Sequence, residues 1–128
     1  MLENRLSNIK VVVVDDHADT RNLLRFFLQH CGAKATVASN GQEALEVIKK
    51  VRPDLLISDI AMPQMDGYEL MQNVQELEKE IGSLPSIACS AYARAEDRAR
   101  TREAGFQAHI QKPVDLDRLV TIILKVVT

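Results

Sequence analysis

Several familiar signals are missing from this sequence, and each absence removes a class of protein. Its two cysteines, Cys31 and Cys89, lack the close spacing of a zinc or redox pair and read as small core residues. The three histidines, His17, His30 and His109, are scattered, with no HExxH pair and no neighbouring cysteine, which argues against a zinc centre. Five glycines form neither GxGxxG nor GxxxxGK[ST], the loops that cradle nucleotide phosphates. No apolar run approaches the roughly 20 residues that span a bilayer. The opening MLENRLSNIK is too polar for a secretory signal. A net charge of −2 gives no general attraction to nucleic acid or to anionic membranes. The expectation is a soluble, cytoplasmic chain of 128 residues forming one domain, with no direct nucleic-acid or membrane contact.

Two alternating periodicities are present instead. Lys10–Asp15 is a β-branched apolar run that reads as a buried strand. Leu23, Leu24, Phe27, Leu28 and Cys31 follow at helical spacing, and Gly32 suits the stop. Ala35–Ser39 is a second short strand. Asn40-Gly41 is a turn or cap before the stripe Ala44, Leu45, Ile48, Val51, which Pro53 ends. Leu55–Ser58 is a third strand, followed by Asp59 and a Pro- and Gly-bearing loop, MPQMDG. A stripe of Leu70, Val74, Leu77 and Ile81 comes next. Pro85–Ser90 is a fourth strand, Ala91–Ala104 a highly charged helix, and Ala108–Lys112 a fifth strand. Asp115 suits the N-cap of a last helix that turns Leu119, Val120, Ile123 and Val127 inward. Strands that are apolar throughout suit a parallel sheet covered on both faces, so the fold class is a doubly wound α/β sandwich.

In such a sheet, ligands bind beyond the carboxyl ends of the strands. Asp15 and Asp16 end the first strand, Asp59 the third, Ser90 the fourth and Lys112 the fifth. Three carboxylates in one pocket repel one another, by roughly 4 kcal/mol for a pair about 4 Å apart at an effective dielectric near 20. A hard divalent cation offsets that repulsion. All-oxygen ligation suits Mg²⁺, with Mn²⁺ as the alternative. Lys112 would hold a carboxylate in the empty site and a phosphoryl oxygen in the filled one. This set of groups fits phosphoryl transfer to an aspartate. Asp59, central and followed by a loop, is the favoured nucleophile, with Asp15 and Asp16 holding the metal.

At these residues the chain resembles response-regulator receiver domains of two-component signalling. VVVVDD, SDIAMPQMDG, SAYA and HIQKP stand in the family's order and spacing, over about Ile9 to Val127, so that residues 1–128 would be a single receiver domain. The resemblance implies a flavodoxin-like (βα)5 fold with strand order 2-1-3-4-5. It implies Asp59 as phosphoacceptor. Mg²⁺ would be bound by the side chains of Asp16 and Asp59, by Asp15 mainly through water, and by the backbone carbonyl of Ala61. Ser90 matches the switch hydroxyl, Lys112 the family's lysine, and the Lys112–Pro113 bond is expected cis. Where the family often has Tyr or Phe, this chain has His109, which either turns inward on phosphorylation or stays exposed on an edge strand. The resemblance further implies a phosphohistidine donor, on a sensor histidine kinase or a histidine phosphotransfer protein. Output would pass to a partner through the fourth helix, fifth strand and fifth helix. The chain would be a stand-alone regulator or a fragment of a hybrid sensor kinase, and SAYARAEDRARTREAGFQAHIQKPVD looks more like receivers attached to hybrid kinases.

Other readings stay beside these. Ser90 could cap the helix after it. Tyr92 could be exposed or could pack over the site entrance. Met65 reads as packing, and Gly67 as a backbone angle that other residues resist. The run RAEDRARTRE is either a solvated helix with pairs such as Glu96–Arg100, or a partner surface centred on Arg98 and Arg102. A Mg²⁺-dependent phosphatase or phosphotransferase of haloacid-dehalogenase type is the rival function. Those enzymes usually carry a second aspartate two residues after the nucleophile, where this chain has Ala61.

Overall fold

The computed structural model describes residues 5–91 and 94–128. Tyr92 lies outside them. Five strands alternate with five helices: β1 (Lys10–Val14), α1 (Ala18–His30), β2 (Lys34–Ala38), α2 (Gly41–Val51), β3 (Leu55–Asp59), α3 (Gly67–Ile81), β4 (Ser86–Ser90), α4 (Ala95–Ala104), β5 (Ala108–Gln111) and α5 (Leu116–Val127). All strand pairs are parallel, in the order β2-β1-β3-β4-β5. The chain steps from β1 outward to β2, then returns past β1 to β3. The winding therefore reverses between β1 and β3, and the crevice at their carboxyl ends is the expected ligand position.

The period-2 alternation of strand side chains divides the core into two layers. Val11, Val13, Leu55, Ile57, Ile87, Cys89 and Ile110 pack against α1 and α5 through Leu24, Leu28, Leu119, Val120 and Ile123. Val12, Val14, Leu56 and Ala88 face α2 and α3, meeting Ala44, Ile48, Leu70, Val74 and Leu77. The central strand β3 is buried along its whole length, whereas the edge strands β2 and β5 are buried only in part. Both cysteines are free and buried, as their spacing suggested.

Helix ends follow local chemistry. Asn40 Oδ1 accepts the Glu43 amide at 2.8 Å, Asp66 Oδ1 the Glu69 amide at 2.9 Å, and Asp115 Oδ1 the Arg118 amide at 3.2 Å. Ahead of Pro53, α2 closes on Arg52 in the left-handed region at φ 52°. The α1 stripe differs from its sequence reading. Leu24, Leu28 and Cys31 define the inward face, while Leu23 sits beyond its margin and is exposed, as is Phe26. The charged helix begins at Ala95, not Ala91, and buries one residue, Thr101. No helix among the described residues is long and apolar enough to cross a membrane.

Candidate functional site

The pairing of β1 with β3 sets the site. Val14 lies opposite Ser58, so the residues that follow, Asp15 and Asp59, emerge side by side at the reversal of winding. Asp59 in turn pairs with Cys89, which brings the end of β4 alongside. Asp15 and Asp59 are 2% and 4% exposed, burial that carboxylates tolerate only with partners. The partner is Lys112, delivered from the end of β5. Its Nζ lies 2.9 Å from Asp15 Oδ2 and 3.3 Å from Asp59 Oδ1. The Lys112–Pro113 bond is cis, as the resemblance implied. The His17 amide donates to Asp15 Oδ1 at 2.8 Å, and Arg21 Nη1 donates to the Asp15 carbonyl at 2.8 Å. These bonds fix the turn from β1 into α1.

Charges in the site are unevenly matched. Burial, then the neighbouring Asp15 charge, pushes the Asp59 carboxyl up to about 6, and Lys112 offsets only part of that. Burial works against the Lys112 ammonium, yet its bonds to Asp15 and then Asp59 hold its pKa above the ordinary value. Cys89, behind the acids, has its thiol pushed up to about 12 by burial and is chemically inert there. Asp16 is only partly covered, and its Oδ1 is buried with no hydrogen-bond partner among the described residues. His17 Nδ1 comes within 3.2 Å of that oxygen.

A cleft of about 310 Å³ opens over Asp59, lined also by His17, Thr20, Ala61, Ala91 and Lys112. Asp15, Asp16 and Asp59 together with His17 offer donor atoms all within 4.8 Å of one another. An under-partnered, crowded carboxylate set of this kind fits a divalent cation.

The loop after Asp59 is shaped by close packing. Gly67 donates its amide to the Ile60 carbonyl at 2.8 Å. A Cβ on Gly67 would stand 2.7 Å from the Asp59 carbonyl oxygen and 2.8 Å from Ile60 Cα, so the glycine is required for space. This corrects its reading as an unusual backbone angle; the left-handed residue of the loop is Gln64, at φ 70°. Met65 packs on Gly41, in agreement with its reading as packing.

Ser90 is buried at the end of β4, immediately before the cleft residue Ala91. His109 is not at the acids. It is half-buried on the edge strand β5, with Nδ1 3.1 Å from Thr101 Oγ1 on α4. It borders a separate cleft of about 380 Å³, also lined by Arg98, Gln111, Asp115 and Arg118, which shares Lys112 with the acidic site. The α4 charges are arranged differently from the Glu96–Arg100 reading. Arg100 lies over the Tyr68 ring of α3, 4.0 Å from its centroid, and Glu96 approaches Arg94 at 3.8 Å. The sequence reading missed His17 and Thr20. The signal for His17 is its place directly after the acid pair.

A doubly wound sheet with buried acids and a lysine at its switch point defines a class, and the comparisons place the chain in it. The chain belongs to the response regulator receiver domain family, whose sequence model matches residues 11–124. It is 48% identical over 118 residues to an uncharacterized 14.6 kDa protein of Leptolyngbya boryana, covering 92% of this chain and 89% of that one. It is 32% identical to sporulation initiation phosphotransferase F of Bacillus subtilis, over 89% of this chain and 90% of the relative. Sensor histidine kinase RcsC of Escherichia coli is 39% identical over 86% of this chain, which spans only 11% of that kinase. Among solved structures, Vibrio cholerae chemotaxis protein CheY4 superposes with a TM-score of 0.87 at 28% identity, over 94% of this chain and 99% of that one.

Proposed function

We propose that the chain is a phospho-accepting switch in which Asp59 takes a phosphoryl group from a phosphohistidine donor, on a sensor histidine kinase or a histidine phosphotransfer protein. One observation carries the reading: a buried, poorly stabilised Asp59 carboxylate opens onto a cleft and has a lysine ammonium 3.3 Å away. A carboxylate oxygen of Asp59 attacks phosphorus, and the donor's P–N bond breaks with its electron pair going to the ring nitrogen. The imidazole leaves neutral, its proton already on the donor ring or taken from solvent. Lys112 trades its contact with Asp59 for a phosphoryl oxygen. Ser90, at the end of β4, would donate its hydroxyl to another.

The residues fit Mg²⁺, with Mn²⁺ as the alternative, because Asp16 Oδ1 is orphaned and the donors of three carboxylates converge. Asp16, Asp59 and the Ala61 carbonyl would hold the ion and Asp15 would act mainly through water. When bound, the ion neutralises charge on the acids and on the transferring oxygens.

The added charge biases an equilibrium between two arrangements of α4, β5 and α5. The helix most able to move is α4, because one buried residue anchors it. Within this reading His109 exchanges its contact with Thr101 for an inward position when Ser90 is drawn to the phosphoryl group. The face bearing Arg98, His109 and Arg118 then meets an output partner. Residues 1–128 serve as one receiver domain, acting in the cytoplasm, with chemistry limited to the chain's own phosphorylation and dephosphorylation. The test is transfer of labelled phosphate from a phosphohistidine donor, with Mg²⁺ and with chelator, to wild type and to Asp59→Asn. Labelling of wild type alone, and only with Mg²⁺, is the expected result. Equal labelling of Asp59→Asn overturns the assignment.

A further inference from the structure

We infer that His17 is an additional metal ligand, through Nδ1, which lets the acidic site also take a first-row transition ion such as Co²⁺, Ni²⁺ or Zn²⁺. This rests on the same acids forming a metal site, and adds a ligand that hard magnesium does not need.

His17 Nδ1 lies 3.2 Å from Asp16 Oδ1 and 3.4 Å from Asp15 Oδ1. With metal–ligand bonds of about 2.1 Å, neighbouring donors stand about 3.0 Å apart in an octahedron and about 3.4 Å apart in a tetrahedron. His17 Nδ1 thus already stands from one oxygen of each acid at the separation of donors sharing one ion. The contacts are at ion-pair distance, and Asp16 Oδ1 has no hydrogen-bond partner among the described residues that would occupy it.

The backbone of His17 is held on both sides. Its amide donates to Asp15 Oδ1 at 2.8 Å, and its carbonyl accepts the Arg21 amide at 3.0 Å in the first turn of α1. The ring itself is largely exposed, at 68%, and lines the cleft over Asp59, so an ion reaches it from solvent. Oxygen donors alone suit Mg²⁺, whereas one imidazole among carboxylates shifts preference toward Co²⁺, Ni²⁺ and Zn²⁺, which bind nitrogen well.

The experiment titrates metal-free protein separately with Mg²⁺ and Co²⁺, for wild type, His17→Ala and His17→Gln. Affinity is read calorimetrically, cobalt ligation by visible absorption and by the hyperfine-shifted imidazole N–H signal in proton NMR. Wild type is expected to show that signal. His17→Ala and His17→Gln are expected to lose it, with Co²⁺ affinity falling at least about tenfold and Mg²⁺ affinity falling far less. Unchanged Co²⁺ affinity and spectrum in the variants, with Mg²⁺ still bound, overturn this inference alone. An equal fall for both ions also overturns it, because His17 would then only hold the acids in place. Failure of every variant to bind either ion overturns the magnesium reading together with this one.

Discussion

At Asp59 the ionised carboxylate loses hydration on burial and faces the Asp15 charge, and Lys112 restores only part of the balance, leaving the pKa near 6. Unfolded, the group titrates at its ordinary 3.8. Between those values the folded chain binds the proton more tightly than the unfolded chain. The contribution of Asp59 to stability therefore falls as pH rises from about 4 to about 6 and stays low above it. Asp59→Asn removes a charge that the fold holds at a cost. In chelator at pH 8 it is expected to stabilise by about 1–3 kcal/mol, shrinking toward zero at pH 4, as measured by urea denaturation. Equal destabilisation at both pH values contradicts this. Lys112 runs the other way. Its folded pKa is raised, so with its partner acids ionised its contribution is fully present below its unfolded value of 10.5 and is lost as pH climbs through the folded value. Lys112→Ala leaves Asp15 and Asp59 facing each other, and should cost about 2 kcal/mol at pH 7.5. The loss should be smaller at pH 4.5, where Asp59 is protonated.

Among the elements, the loop from β3 into α3 and the helix α4 respond to change in opposite ways. The loop is tight, and a methyl group on Gly67 would meet backbone atoms of Asp59 and Ile60 that cannot rotate aside. Gly67→Ala is expected to destabilise by about 1–3 kcal/mol and to slow phosphorylation by displacing the Asp59 carbonyl. Normal stability with normal labelling would contradict that. The helix α4 is loosely held. Its attachments include Thr101 to His109, Arg100 over Tyr68, and Gln75 Nε2 donating to the Ala104 carbonyl at 3.1 Å. Thr101→Val keeps the volume and deletes the hydroxyl. It should cost about 1 kcal/mol and raise amide exchange in α4 more than in β1 or β3. Uniform exchange across the chain would show that α4 is no separate unit.

Over the whole molecule, the proposed metal site at the switch point would connect ion binding to stability. An ion that binds the folded chain alone stabilises it by mass action, by about 1.4 kcal/mol when its concentration is tenfold above its dissociation constant, and so raises the thermal midpoint. Asp16→Asn should abolish that rise, and a magnesium-induced rise undiminished in the variant would contradict the acid assignment. Much of this arrangement was legible in the sequence, because it rests on short-range pattern. The Val11–Val14 run, the position of the acids at the ends of β1 and β3, and the Asp115 cap can all be read within a few residues. What the pattern could not carry depends on distant packing. Gly67 owes its need to Asp59 and Ile60 across a loop. Leu23 lies outside the inward arc by one helical step, and Arg100 finds Tyr68 on another helix in place of Glu96 on its own. The central claim is that Asp59 becomes an acyl phosphate with magnesium present. Intact mass after incubation with acetyl phosphate and Mg²⁺ tests it most directly. The account predicts a single added phosphoryl group on wild type, absent from Asp59→Asn and absent with chelator. A wild-type chain that gains no mass, or an Asp59→Asn chain that gains it equally, contradicts the account.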